Sequence, residues 1–153
     1  MKISILLSLV AATASAASTH LNTERIDQLT GLKGKLNEKE DAYKISFDGW
    51  KIPAFMGLTT WASFTGATHS EAMVMGDAVL FEDEVNLGMF VALESGLSVT
   101  ALHNHFFFDH PKVFFMHIEG EGTLDHLASS VRLLYDKLSE FRNVHPTPAD
   151  FFP

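Results

Sequence analysis

The sequence predicts an α+β domain, in which an antiparallel β-sheet of hairpins has helices packed on one face, including a long C-terminal helix. The run Tyr43-Lys44-Ile45-Ser46-Phe47 alternates apolar and polar residues, which is typical of a strand with one buried face. Apolar residues recur at helical spacing from Leu124 to Leu138, behind the N-cap residue Thr123, and predict the long helix. With 153 residues, 46% of them hydrophobic, the chain suits one core and one domain.

The N-terminus is typical of a cleavable secretory signal. It contains the basic Lys2, an apolar run from Ile3 to Ala12, and the small residues Ala14 and Ala16 that a signal peptidase needs. About ten apolar residues are too few to cross a membrane, which requires roughly 20. We therefore expect a secreted or periplasmic protein with no membrane span. Its signal peptide (1–16) precedes a single domain (17–145) and an extended tail (146–153).

The other elements are predicted in chain order from caps, turns and patterning. Asn22 is expected to cap a short helix that runs to Leu29, and the mixed charges of Lys33–Asp41 indicate a solvated connection. The elements that follow are a strand Tyr43–Phe47 paired with Trp50–Ile52 through Asp48-Gly49, strands Thr59–Thr65 and Glu71–Gly76, a helix Asp83–Ser95, and a hairpin over Ser98–Glu119.

Composition excludes several classes of function. The chain has no cysteine, so thiolate chemistry is absent and stability must come from packing or a bound ion. Its formal charge is −8, and loss of Lys2 with the signal would leave 10 basic against 19 acidic residues. This charge opposes binding to nucleic acid and to anionic membrane surfaces. Small molecules, cations or proteins are the expected partners.

Three histidines on the last hairpin predict a metal site. Asp109-His110-Pro111 has turn chemistry, and a hairpin centred on it places His117 opposite His103, with His105 one diagonal step away. Alternate strand residues share a face, so the three imidazoles would converge within reach of one ion. The geometry requires an odd loop length, because a one-residue slip would move His117 to the other sheet face.

Nearby residues complete the predicted site. Glu119 has matching strand parity, is expected to lie diagonal to His103, and is the expected fourth ligand, although it fits a solvated strand end equally well. Glu84 is a candidate ligand or general base, although acids at a helix start commonly complement the helix dipole. Zinc is the default ion because it favours imidazole, and iron, manganese and copper are alternatives. The same hairpin face is expected to supply an apolar frame of Leu97, Val99, Ala101, Phe107, Val113 and Phe115.

The sequence leaves two functions open. In the first, His103, His105 and His117 hold the ion of a secreted metal-binding domain, which could be a metal-dependent enzyme for a small or carbohydrate-like substrate. In the second, the same histidines complete a core hairpin in a non-catalytic envelope binding or interaction module. An enzyme and a metal buffer share this ligand set, so the sequence does not separate them.

Several segments together resemble the LppY/LpqO family, which comprises exported bacterial domains of unknown function. The resemblance covers about Leu21 to Leu138 and implies an extracytoplasmic α+β domain, but it implies no reaction. Members often have two related halves, so a single short copy implies that two chains pair. The segments that carry the resemblance are Trp61-Ala62-Ser63-Phe64, Val74-Met75-Gly76-Asp77, Glu84-Val85-Asn86, Val99–His105 and Phe115-Met116-His117.

We also expect a homodimer. A chain with about three helices for at least five strands leaves a sheet face or edge exposed, and exposed edges tend to pair. A two-fold dimer formed through the sheet, clasped by the tail residues Phe151-Phe152-Pro153, would cover that surface.

Overall fold

A computed structural model of the chain describes residues 21–47 and 58–145. Within them the chain forms three helices and six strands, which confirms the predicted α+β class. The predicted signal peptide (1–16), the turn Asp48-Gly49 with the strand Trp50–Ile52, and the tail (146–153) lie outside the described residues. The elements are α1 (Thr23–Thr30), β1 (Lys35–Asn37), β2 (Ala42–Phe47), β3 (Thr60–Gly66), β4 (Ala72–Phe81), α2 (Val85–Glu94), β5 (Ser98–His103), β6 (Val113–Gly122) and α3 (Leu124–Val144).

The strands form one sheet in the order β1-β2-β3-β4-β6-β5, with every neighbouring pair antiparallel. β4 extends beyond the predicted Glu71–Gly76 and pairs with β6 as far as Phe81. The sequence did not predict this extension, because Ala78–Phe81 are buried on both faces and show no alternation of apolar and polar residues. β1 lies within Lys33–Asp41, which was expected to be a solvated connection. Its side chains are all exposed, so this short edge strand leaves no apolar signal in the sequence.

The caps predicted for two helices are confirmed. The side chain of Asn22 accepts a hydrogen bond from the backbone N–H of Arg25 at 3.0 Å, and α1 ends at the left-handed Gly31 (φ 69°). Thr123 Oγ1 likewise accepts from the N–H of His126 at 3.3 Å at the start of α3. α2 is shorter than the expected Asp83–Ser95, because a 3₁₀ turn over Glu82–Glu84 precedes it.

The helices pack on one face of the sheet, as predicted. Alternate strand residues such as Ile45, Phe64 and Val74 share one buried cluster with Leu127 and Leu134 of α3. This cluster is the main hydrophobic core. Within the described part of the chain, no helix combines the length and apolarity that a membrane span needs.

The opposite face of the sheet, the outer face, carries the predicted histidines. At one end it holds a second, smaller buried cluster. Next to that cluster the outer face becomes polar, with Asp77, His103 and His117 on neighbouring strands. The fold thus places the main hydrophobic core on the helix side and the polar residues Asp77, His103 and His117 on the outer face. The second cluster consists of Leu58, Val79, Phe81, Val113 and Phe115.

Candidate metal centre

The histidine hairpin forms with a register two residues away from the predicted one. His103 pairs with Phe115, and His117 pairs with Ala101, so His103 and His117 are diagonal neighbours rather than directly opposite. The predicted parity is nevertheless right, because both histidines project from the outer face. Diagonal neighbours in a sheet are close enough for long side chains to meet.

His103 and His117 do meet. Their Nε2 atoms are 2.9 Å apart, and both side chains are half-buried. Two nitrogen ligands about 2.05 Å from one ion lie about 2.9 Å apart at a right angle and about 3.3 Å apart at the tetrahedral angle. The separation therefore fits two ligands of one ion, and it also fits a single N–H···N hydrogen bond between neutral imidazoles.

His105 follows the end of β5 on the same face, but its ring faces an aromatic neighbour. It stacks on Phe115 with centroids 3.8 Å apart and planes 8° apart, and its centroid is 5.0 Å from that of His103. Across residues 21–47 and 58–145, no three histidine, aspartate or glutamate side chains already surround one point as metal ligands. His105 would join the His103–His117 pair only by rotating its side chain away from Phe115.

Asp77 is the site residue that the sequence prediction missed. It lies on β4 directly opposite His117, and its Oδ1 is buried without a hydrogen-bond partner among the described residues. Burial raises the pKa of the Asp77 carboxyl, while the nearby His117, His103 and His105 act in the opposite direction. In the sequence, the segment Val74–Asp77 contributes only to the family resemblance. Nothing local indicates that β4 is the neighbour of β6.

Glu119 lies two residues beyond His117 on the outer face. It pairs with Ser98 on one side and Met75 on the other, so it is not diagonal to His103 as expected. Four residues of β6 separate it from the level of His103, which corresponds to roughly 13 Å. Its role as a ligand stays a prediction, although Asp77 is the carboxylate that faces the histidine pair.

Glu84, the candidate general base, is engaged elsewhere. Its carboxylate is buried and accepts hydrogen bonds from Arg142 Nε at 2.6 Å and Arg142 Nη2 at 2.8 Å. The backbone N–H of Phe81 donates a third hydrogen bond at 2.9 Å. This arrangement ties the 3₁₀ turn to the end of α3, and it does not bring Glu84 together with the histidines.

The predicted apolar frame is only partly present. Ala101, Val113 and Phe115 share the outer face with the histidines, but Leu97 belongs to the helix-side core and Val99 packs against it. Phe107, in the loop after β5, is almost fully exposed. A β-bulge between Val99 and Ala101 reverses the facing of the strand at Thr100, which accounts for Leu97 and Val99. Phe107 differs because it lies beyond the end of β5.

Two further residues border the site. Trp61 of β3 pairs with Asp77 on the side away from His117, so the three residues form one row across the outer face. Lys44 of β2 belongs to the next row, opposite Ser63, and its Nζ lies 4.1 Å from the centroid of the Trp61 ring. The sequence prediction singled out neither residue as part of the site.

Comparison with known proteins gives a family but no activity. Residues 24–137 match the family described as Domain of Unknown Function (DUF1259). No curated protein and no solved structure shows a significant match to this chain. The match does not test the resemblance to the LppY/LpqO family, which stays a prediction.

Proposed function

The chain belongs to the Domain of Unknown Function (DUF1259) family, and we propose that it holds one divalent metal ion on the outer face of its sheet. His103 and His117 would bind the ion through Nε2, Asp77 through its carboxylate, and His105 after rotation of its side chain. One observation carries the proposal. Among the described residues Asp77 Oδ1 is buried with no hydrogen-bond partner, and Asp77 pairs directly with His117, whose Nε2 is 2.9 Å from that of His103.

A bound cation would resolve the energetic problem posed by Asp77. A buried carboxylate oxygen without a partner is costly, and such atoms commonly mark a missing ion or water. In the part of the chain that the structure describes, Asp77 forms no salt bridge. His117 lies directly opposite it on β6, and imidazoles are metal ligands when neutral. A cation between Asp77 and the histidines would satisfy all of these groups together.

The donor set favours particular ions and leaves room for chemistry. Three imidazoles and one carboxylate suit zinc, and they also suit iron or manganese, which take additional ligands. Copper is a further alternative because imidazole binds it well. Iron or manganese with four protein ligands keeps coordination positions for a small molecule. We therefore extend the proposal to a metal-dependent enzyme for a small substrate.

A second function is favoured by one contact. The 2.9 Å separation of His103 and His117 also fits a hydrogen bond, and His105 already packs on Phe115. In that case the histidines would only complete the hairpin of a non-catalytic binding module. The two functions make opposite predictions for metal content and for the effect of chelators.

Metal binding is best tested on protein purified without an affinity tag. Elemental analysis identifies the ion present, and calorimetric titration of chelator-treated protein with zinc gives stoichiometry and affinity. We expect one ion per chain in the wild type and none in the His103→Ala, His117→Ala double variant. Asp77→Asn should weaken zinc binding at least about tenfold, because losing a group that merely orients a ligand already costs about that much.

Matched controls separate the ligands from other residues. His69→Ala removes an exposed loop histidine and should leave zinc affinity unchanged. Glu119→Gln should have little effect if Asp77 is the carboxylate ligand. If the wild type binds no stoichiometric metal, or the double variant binds as much, the proposal is wrong.

Thermal unfolding gives a second measurement. An ion that binds only the folded chain adds about 2.7 kcal/mol of stability when its free concentration is 100 times Kd. Chelation should therefore lower the melting temperature of the wild type but not that of the double variant. The non-catalytic function predicts no change in either protein.

A further inference from the structure

Beside the proposed metal centre lies a cation–π pair, in which the Lys44 ammonium contacts the Trp61 ring. We call it the Lys44–Trp61 pair. Strands in a sheet are about 4.8 Å apart, so the backbone of Trp61 is roughly 10 Å from that of His117, with Asp77 midway between them. Trp61 is therefore within reach of a small molecule bound to an ion held by Asp77 and His117.

The position of the Lys44 side chain directs its charge toward this row. Lys44 projects from β2 one row away, and its ammonium lies over the Trp61 ring at 4.1 Å from the centroid. Such a cation–π contact holds the ammonium close to the ring, and its N–H groups can still donate hydrogen bonds to an anion. Among the salt bridges of the described residues, none involves Lys44.

Lys44 lies close to the row that holds the proposed ligand. Its ammonium contacts the Trp61 ring, and Trp61 pairs directly with Asp77 across β3 and β4. A positive charge therefore lies beside the proposed metal centre. This matters because the chain as a whole carries a charge of −8, which repels anions unless a local positive group attracts them.

We propose that the metal centre binds a small anionic substrate that carries a carboxylate or phosphate group. One part of the substrate would coordinate the ion beside Asp77, its anionic oxygen would accept a hydrogen bond from Lys44 Nζ, and its body would lie along Trp61. This inference rests on the proposed metal function and adds the class of substrate to it.

The experiment uses the full chain loaded with Co²⁺, whose visible spectrum reports ligands that enter its coordination shell. Inorganic phosphate and glycolate are the probes, so that the two anion chemistries are compared directly. We expect at least one probe to change the spectrum saturably, and Lys44→Gln to weaken that binding about tenfold, as expected for a hydrogen bond to a charged group. Co²⁺ affinity of each protein is measured separately, so that anion binding is compared at full metal occupancy.

Two variants make the result specific. Lys137→Gln removes an exposed lysine from α3, on the helix side of the sheet, and should leave anion binding unchanged. Lys44→Arg keeps the charge and should retain most of the affinity. If Co²⁺ does not bind, the proposed function is wrong and this inference falls with it. If Co²⁺ binds but neither probe does, or Lys44→Gln binds the anion as well as the wild type, only this inference is overturned.

Discussion

The buried ion pair between Glu84 and Arg142 gives the strongest stability prediction. Arg142 donates to both carboxylate oxygens of Glu84, at 2.6 and 2.8 Å, and also to the carbonyl of Val79 at 2.8 Å. The side chain of Glu84 is 1% exposed and that of Arg142 is 15% exposed. Arg142→Met would leave a buried carboxylate with only the N–H of Phe81 as its partner.

The expected loss follows from that burial. Removing one member of a buried ion pair costs roughly 3–5 kcal/mol, because the remaining charge is uncompensated. For a domain of this size, about 4 °C per kcal/mol converts this to a fall of roughly 12–20 °C in melting temperature. The double variant Glu84→Gln, Arg142→Met contains no unpaired charge and should be less destabilised than Arg142→Met alone.

Thermal and urea unfolding of metal-free protein, measured in the presence of a chelator, report this effect without interference from a bound ion. Lys137→Met breaks an exposed pair with Glu140 and should change stability by less than about 0.5 kcal/mol. Zinc affinity of folded Arg142→Met should equal that of the wild type. A loss of stability below about 1 kcal/mol would refute the structural role of the ion pair. A selective loss of zinc affinity would instead support Glu84 as a residue of the metal site.

Two further predictions concern the outer face and the free sheet edge. Because burial raises the pKa of Asp77, its contribution to the stability of the metal-free protein is present at low pH and lost as pH rises through that raised pKa. Melting temperatures measured with chelator from about pH 4 to about pH 7 should therefore fall for the wild type relative to Asp77→Asn, and a relative rise would contradict the assignment. β5 is an edge strand that contains no Asp, Glu, Lys or Arg, and its Leu102 is 38% exposed, so we expect two chains to pair there. Light scattering should give a dimer mass that Leu102→Lys reduces to a monomer and Leu36→Lys, on the other edge, does not; a monomeric wild type would exclude the dimer.

Local signals in the sequence were sufficient for the helical side of the fold. Thr123 and the apolar stripe behind it identify α3 because capping and helical periodicity are both local properties. Asn22 identifies the start of α1 for the same reason. Where local signals were weak, the prediction was incomplete. Ala78–Phe81 faces core on both sides and has no alternation, so the length of β4 was underestimated.

The candidate site shows a different limit. Alternation along each strand, together with the parity of the hairpin loop, correctly placed His103 and His117 on one face. Asp77 was missed because its proximity to His117 depends on β4 lying beside β6, with α2 and β5 between them in the chain. Strand order is a property of the whole sheet and leaves no mark on the residues near Asp77. The carboxylate predicted from the hairpin was therefore Glu119, which is close to the histidines in sequence.

The bulge at Thr100 explains how one short strand serves both sides of the sheet. Val99 pairs with Ile118, whose side chain is in the helix-side core, whereas Ala101 pairs with His117 on the outer face. In a regular strand Val99 and Ala101 would share a face, so His103 would lie on the same side as Val99. The extra residue reverses the facing once, which lets Val99 pack under the helices while His103 reaches His117. Loop parity, the condition used to predict the histidine cluster, therefore determines that His103 and His117 share a face, whereas the bulge determines which earlier residues of β5 share it with them.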